Sequence, residues 1–287
     1  MRSWLYRLRF SLEVRVPKAK VIFGFGRFRA LWVACGAWVF FASGGVTASS
    51  MIANDIPRII RDVKHSVLAV GTFQATRNPG FQFRGTGFVV GSGSWVATNA
   101  HVLPQAIDEP KREVLAVARL EEGGRVSVQP VRVLAVDPDH DLALLEFTGK
   151  AVFPALPLGD DAAVTEGGAV VFTGFPLGAE LGMRPVTHRG IISAITPIGT
   201  PTVNARDLTP NLVRRLGASY DVFQLDATAY PGNSGSPLLS LSSGEVIGVI
   251  NLVFVKGAKE NALSQPSGIT YAVPVQYLKN LMVRVRR

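Results

Sequence analysis

Between residues 66 and 273 the chain is a succession of short apolar and β-branched runs broken by turn residues, and this pattern limits the fold more than any other feature. The runs are Ser66–Phe73, Thr86–Val90, Trp95–Thr98, Leu115–Leu120, Val126–Val136, Leu142–Thr148, Ala169–Thr173, Thr187–Ser193, Val222–Asp226, Ser236–Ser240, Val246–Val255 and Ile269–Val273. Gly or Pro flanks most of them, as at Gly91-Ser92-Gly93, Gly123-Gly124 and Pro176. About a dozen strands in some 220 residues predict an all-β fold of two small antiparallel barrels. No long amphipathic helix alternates with the strands, which excludes a doubly wound α/β sheet. Two short helical patterns lie outside them: Ile56–Val67, with Ile59, Ile60 and Val63 on one face, and Val275–Val283, before Arg284-Val285-Arg286-Arg287.

A net charge of +9 points at first to nucleic acid or an anionic membrane. Its distribution argues otherwise. Residues 1–50 hold eight basic side chains and one acid, a net of +7, and leave +2 for the remainder. No nucleic-acid partner is therefore expected. Residues 30–53 contain no charged side chain, and Ala30–Ala42 reads ALWVACGAWVFFA. A basic region, an apolar region and the small-residue stretch SGGVTASS occur in the order of an export signal. Val46-Thr47-Ala48 suits cleavage before Ser49. The same span is long enough for an uncleaved membrane anchor, since a crossing needs about 20 residues. Residues 1–50 are thus read as signal peptide or anchor, and the protein as exported, periplasmic or in the cell envelope. The single cysteine, Cys35, falls in this leader, so residues 51–287 contain no disulfide and no thiolate metal site.

Three segments carry chemistry. Thr98-Asn99-Ala100-His101-Val102 follows an apolar strand, Asp141-Leu142-Ala143-Leu144-Leu145-Glu146 opens a buried one, and Pro231-Gly232-Asn233-Ser234-Gly235-Ser236-Pro237 sets a glycine-flanked serine in a tight turn. Each alone has an ordinary reading: a hydrogen-bonded histidine, a strand-start acid, a Gly-Asn-Ser turn. Their joint occurrence, order and flanks are what count. Of the other histidines, His65 and His140 sit among polar neighbours and are read as solvated, and His188 as structural. The scattered histidines offer no zinc spacing, so neither metal nor cofactor is expected.

Together these segments resemble the trypsin-like serine peptidases of the chymotrypsin fold, and within them the bacterial HtrA/Deg branch, through TNAHV, DLALLE and GNSGSP. The resemblance extends to Gly85–Val90, Phe172–Gly178, Arg189–Ser193, Gln224–Ala227 and Gly268–Pro274, covering about residues 58–275. It implies two six-stranded antiparallel barrels within a protease domain at 51–287, barrel one at about 58–155 and barrel two at about 156–275. It implies a triad of His101 as base, Asp141 as its orienter and Ser234 as nucleophile. The backbone N–H groups of Gly232 and Ser234 would form the oxyanion hole. The order His, Asp, Ser is that of chymotrypsin, whereas α/β-hydrolases run Ser, Asp/Glu, His and need Gly-x-Ser-x-Gly, where this chain has Ser236.

By the same resemblance Thr228, six residues before the nucleophile, lies at the base of the specificity pocket. No acid there would select basic side chains, so cleavage after small or medium apolar residues is expected. Ile250, Asn251 and Leu252 would pair with substrate backbone by strand addition. The chain departs from the branch in having Ser236 where a second glycine is usual, and with the protease pattern running to about residue 275 of 287, no PDZ module is expected. The expected function is a serine endopeptidase acting on unfolded or misfolded envelope proteins. Polypeptides are its expected partners, the membrane is met only through the N-terminal segment, and the oligomeric state stays open. A catalytically idle peptide-binding or chaperone-like protein and a membrane-anchored processing protease with one dedicated substrate are the alternatives.

Overall fold

A computed structural model describes residues 48–121, 123–178, 182–198, 220–252 and 268–286. Residues 1–47 of the expected leader and the predicted strand end at Val253–Val255 lie outside the described residues. No described helix is long and apolar enough to cross a membrane.

Helix α1 (Ala48–Lys64) is followed by strands β1 (Val67–Phe73), β2 (Phe81–Val90), β3 (Trp95–Asn99), β4 (Val114–Leu120), β5 (Val126–Asp137) and β6 (Leu142–Phe147). These close into an antiparallel barrel in the order β1-β2-β3-β6-β5-β4. Strands β7 (Ala169–Gly174), β8 (Val186–Pro197), β9 (Asp221–Asp226), β10 (Pro237–Ser240), β11 (Val246–Asn251) and β12 (Ile269–Pro274) close a second, ordered β10-β11-β12-β9-β8-β7. Helix α2 (Val275–Arg286) follows directly. The expected all-β architecture of two six-stranded barrels is therefore what the chain adopts.

Successive side chains of a strand face opposite ways, and in most strands here both ways are apolar, whereas β5 and β8 are largely half-buried or exposed. Leu68, Val70, Val89, Val96 and Leu145 fill barrel one. Val170, Phe172, Leu225, Leu238 and Ile250 fill barrel two. Their neighbours Val67, Ala69, Phe88, Val90, Ala97, Leu144, Val171, Leu239, Val249 and Val273 form a third layer, shared by the barrels and both helices. This double burial explains why strands such as β1 and β11 read as unbroken hydrophobic runs rather than as alternating ones. Each fully buried Val, Leu or Phe contributes roughly 1.5–3 kcal/mol. Helix α2 seals the layer with Val275, Leu278, Leu281 and Met282 at helical spacing.

Candidate active site

The register of β3 against β6 pairs Asn99 with Leu142. The chain leaving β3 therefore runs beside the chain entering β6, and a short 3-10 turn at Ala100–Val102 presents His101 to Asp141. His101 Nδ1 lies 2.6 Å from Asp141 Oδ2, and the His101 backbone N–H donates to Asp141 Oδ1 at 2.9 Å. Asp141 is left-handed, with φ of +53°. That conformation is unfavourable for most side chains but tolerated by aspartate. Its carbonyl is held in place by the Ala100 N–H and by Asn99 Nδ2, each at 3.0 Å. His101 is 31% exposed and Asp141 18%, so the imidazole is open on one side while the carboxylate is largely covered.

Barrel two supplies a further partner. Asn251, the last residue of β11 and fully buried, donates from Nδ2 to Asp141 Oδ2 at 2.7 Å. A residue expected to pair with substrate thus aims its side chain at Asp141. Ile250 is likewise committed: its N–H donates to Ser236 O, its carbonyl accepts from Gly235 N–H, both at 2.9 Å, and its side chain lies in the barrel-two core. Leu252 is half-buried and follows β11.

The serine turn is held by its own backbone and by both barrels. Asn233 N–H donates to Tyr230 O at 2.9 Å and Ser236 N–H to Asn233 O at 3.0 Å. With Gly235 N–H on Ile250, this leaves the Gly232 and Ser234 N–H groups without an acceptor among the described residues. Gly232 (φ +100°) and Gly235 (φ +87°) both need the left-handed region that glycine allows. A Cβ would also lie 2.3 Å from Phe175 O at the first and 2.0 Å from Thr86 O at the second. Ser234 is buried, and its carbonyl accepts the Thr86 N–H at 2.9 Å. A Cβ at Gly85 would stand 2.7 Å from Val102 Cγ2 and 3.2 Å from Ser234 O, so the histidine and serine turns flank the same glycine. The loop after β7 grips the turn too, through Leu177 N–H on Pro231 O at 2.8 Å.

Thr228 is half-buried just past the end of β9, next to Ala227, whose carbonyl accepts Thr270 Oγ1 at 2.6 Å. His65 is exposed, as expected. His140 is not solvated. It is 22% exposed, stacks on Tyr277 at 3.9 Å and meets Tyr220 at 4.6 Å, with Nδ1 3.0 Å from Asp137 Oδ2. Arg284 of α2 donates to the same Asp137 oxygen at 2.5 Å. Burial pushes the Asp137 carboxyl up, but the hydrogen bonds from His140 and Arg284 outweigh it and hold the group below its ordinary range. His188 stacks on Phe172 at 4.9 Å, and burial pushes its imidazole down. No metal-ligand cluster occurs among the described residues.

A histidine held by a largely covered carboxylate, together with a serine in a turn with two unengaged N–H groups, is an arrangement suited to acyl transfer. The family model for the trypsin-like peptidase domain matches residues 85–249. The chain belongs to that family. Among its relatives, a mitochondrial serine protease HTRA2 from Bos taurus is 33% identical over 203 residues, covering 70% of this chain and 36% of that one. A probable periplasmic serine endoprotease DegP-like from Ectopseudomonas mendocina is 31% identical over 209 residues, covering 71% and 36%. The chain thus spans about a third of the length of these curated relatives. The crystal structure of Deg5 superposes with a TM-score of 0.56 at 22% identity, covering 81% of this chain and 93% of Deg5, a likeness in fold. As a trypsin-like peptidase domain the chain has two six-stranded barrels, and its Asn251–Asp141 contact is one that no local sequence pattern announces.

Proposed function

We propose that this trypsin-like peptidase domain is an active serine endopeptidase with His101, Asp141 and Ser234 as its triad. The observation that carries the reading is the two-point grip of Asp141 on His101, through both the ring and the backbone N–H. A serine hydroxyl is a poor nucleophile until a base takes its proton. His101 Nε2 accepts that proton as Ser234 Oγ bonds to the scissile carbonyl carbon, and the carbonyl becomes an oxyanion. The Gly232 and Ser234 N–H groups receive the charge. Asp141 fixes the tautomer with Nδ1–H and stabilises the imidazolium. The imidazolium then protonates the departing amine, the C–N bond breaks, and an acyl-enzyme remains. Water, deprotonated by His101, attacks the ester and returns Ser234 Oγ–H.

Thr228 at the pocket base favours cleavage after small or medium apolar residues. Because the Ile250 backbone and the Asn251 side chain are engaged internally, Leu252 is the member of that trio left for substrate pairing. Unfolded polypeptides of the cell envelope are the proposed substrates, in keeping with the basic and apolar leader and with the printed name of the periplasmic relatives. The test is fluorophosphonate labelling and digestion of a denatured protein, wild type against Ser234→Ala, with cut sites mapped. Labelling and cleavage that vanish in Ser234→Ala support the reading. A wild type that does neither sinks it in favour of an idle peptide-binding protein.

A further inference from the structure

Thr86, in β2 of barrel one, is fully buried and makes four polar contacts, two of them to the serine turn. Its N–H donates to Ser234 O at 2.9 Å. Its hydroxyl donates to Gly232 O at 2.7 Å and accepts the Phe175 N–H, from the loop after β7, at 3.0 Å. Its carbonyl accepts Thr98 Oγ1 at 2.7 Å, three residues before His101. That same carbonyl lies 2.0 Å from where a Cβ of Gly235 would stand. One side chain and its own peptide groups therefore touch residues 232, 234 and 235 of the turn, the loop that covers it and the strand that carries the histidine.

The contact with Gly232 matters most. A glycine with φ near +100° has little steric restraint of its own, so the peptide planes on either side of it need an external hold. The Thr86 hydroxyl supplies it on the carbonyl side. Fixing that carbonyl fixes the direction of the 232–233 peptide and, through it, the neighbouring N–H groups. Oxyanion donors act only when they are aimed before charge develops. A β-branched side chain with a restricted χ1 suits this task, because its hydroxyl has few other places to go.

We propose that Thr86 is a positioning residue for the oxyanion turn, its hydroxyl holding the Gly232 carbonyl so that the Gly232 and Ser234 N–H groups are set before substrate arrives. The inference rests on the proposed serine-protease reading. Its test compares wild type with Thr86→Val, which keeps the shape and removes the hydroxyl, and Thr86→Ser, which restores it. Turnover is measured on a peptide substrate per site titrated with fluorophosphonate, together with KM and the affinity of a peptide aldehyde that forms a tetrahedral adduct. Thr86→Val should lower per-site kcat by roughly tenfold to a hundredfold, less than the loss of an oxyanion donor itself. KM should stay within about threefold, since substrate binding is not the step affected. Aldehyde affinity should fall with kcat, and Thr86→Ser should recover most of both. If Thr86→Val does not fold, Thr86→Cys, a weaker donor of similar size, must show the same kcat-selected loss. Unchanged per-site kcat in the folded variant, or equal losses in Thr86→Val and Thr86→Ser, overturns the inference while leaving the protease reading intact. A wild type that takes no label overturns both.

Discussion

Replacing Asn251 by leucine removes one donor from Asp141, the proposed triad aspartate, while nearly keeping the buried volume. Asp141 Oδ2 accepts from two groups, His101 Nδ1 at 2.6 Å and Asn251 Nδ2 at 2.7 Å. A hydrogen bond to a charged acceptor contributes about 1.5–3 kcal/mol. Asp141 is 18% exposed, so water replaces part of the lost donor and the lower end applies. About 1.5 kcal/mol, if it appears in the barrier, is roughly tenfold in kcat/KM. It should appear there, because the carboxylate must be held in place when the imidazolium forms beside it. Asn251→Asp should be worse, on the order of a hundredfold, since two carboxyl groups at that separation cannot both ionise at little cost. The assay is kcat/KM on a peptide ester and the rate of fluorophosphonate labelling, with a urea midpoint for each variant to separate folding from rate. Asn251→Leu that folds and turns over within twofold of wild type would refute the argument that barrel two helps hold the aspartate.

Two further outcomes are expected. Glu113 accepts from the Thr72 hydroxyl, the Asp108 N–H and the Arg77 guanidinium, which together hold its carboxyl at about 2. A depressed carboxyl stabilises the fold above the unfolded value near 4.5 and loses that contribution as pH falls toward 2, worth on the order of 2–3 kcal/mol at neutral pH. Urea midpoints of wild type and Glu113→Gln should therefore differ at pH 7 and converge near pH 2; parallel curves across that range would contradict the cluster. Thr228→Asp should move preference toward Arg or Lys before the cut by at least about tenfold in kcat/KM, by an ion pair in a partly desolvated pocket. A peptide-library profile unchanged from wild type would remove Thr228 from the pocket.

The barrels were legible because most of their strands are apolar on both faces. Each run from Ser66–Phe73 to Ile269–Val273 overlaps a strand of the structure. The errors fall where burial thins. The first half of β2, Phe81–Arg84, alternates between half-buried and exposed, and the prediction began only at Thr86. β8 runs on to Pro197 past Ser193, where its residues alternate between half-buried and exposed and offered no apolar run. Helix α1 begins eight positions before the predicted Ile56, in a stretch read as part of the small-residue end of the leader. His140 looked solvated among Asp137, Asp139 and Asp141, yet its covering rings, Tyr220 and Tyr277, lie far away in the chain. Asn251 and Thr86 escaped for the same reason: their roles exist only once the barrels meet. His101, Asp141 and Ser234, proposed as the triad, could be singled out because each lies in a short contiguous segment that resembles a family motif.

The apolar layer shared by the two barrels has a consequence for how this molecule comes apart. Each barrel presents one face of its strands to that layer, so neither can open without wetting the face of the other. The same boundary carries the contacts from Thr86 to the serine turn and from Asn251 to Asp141. Loss of tertiary order at the boundary and loss of the reactive geometry are then a single event. A half-melted copy of this chain would on this account lose the proposed reactive geometry together with its tertiary order.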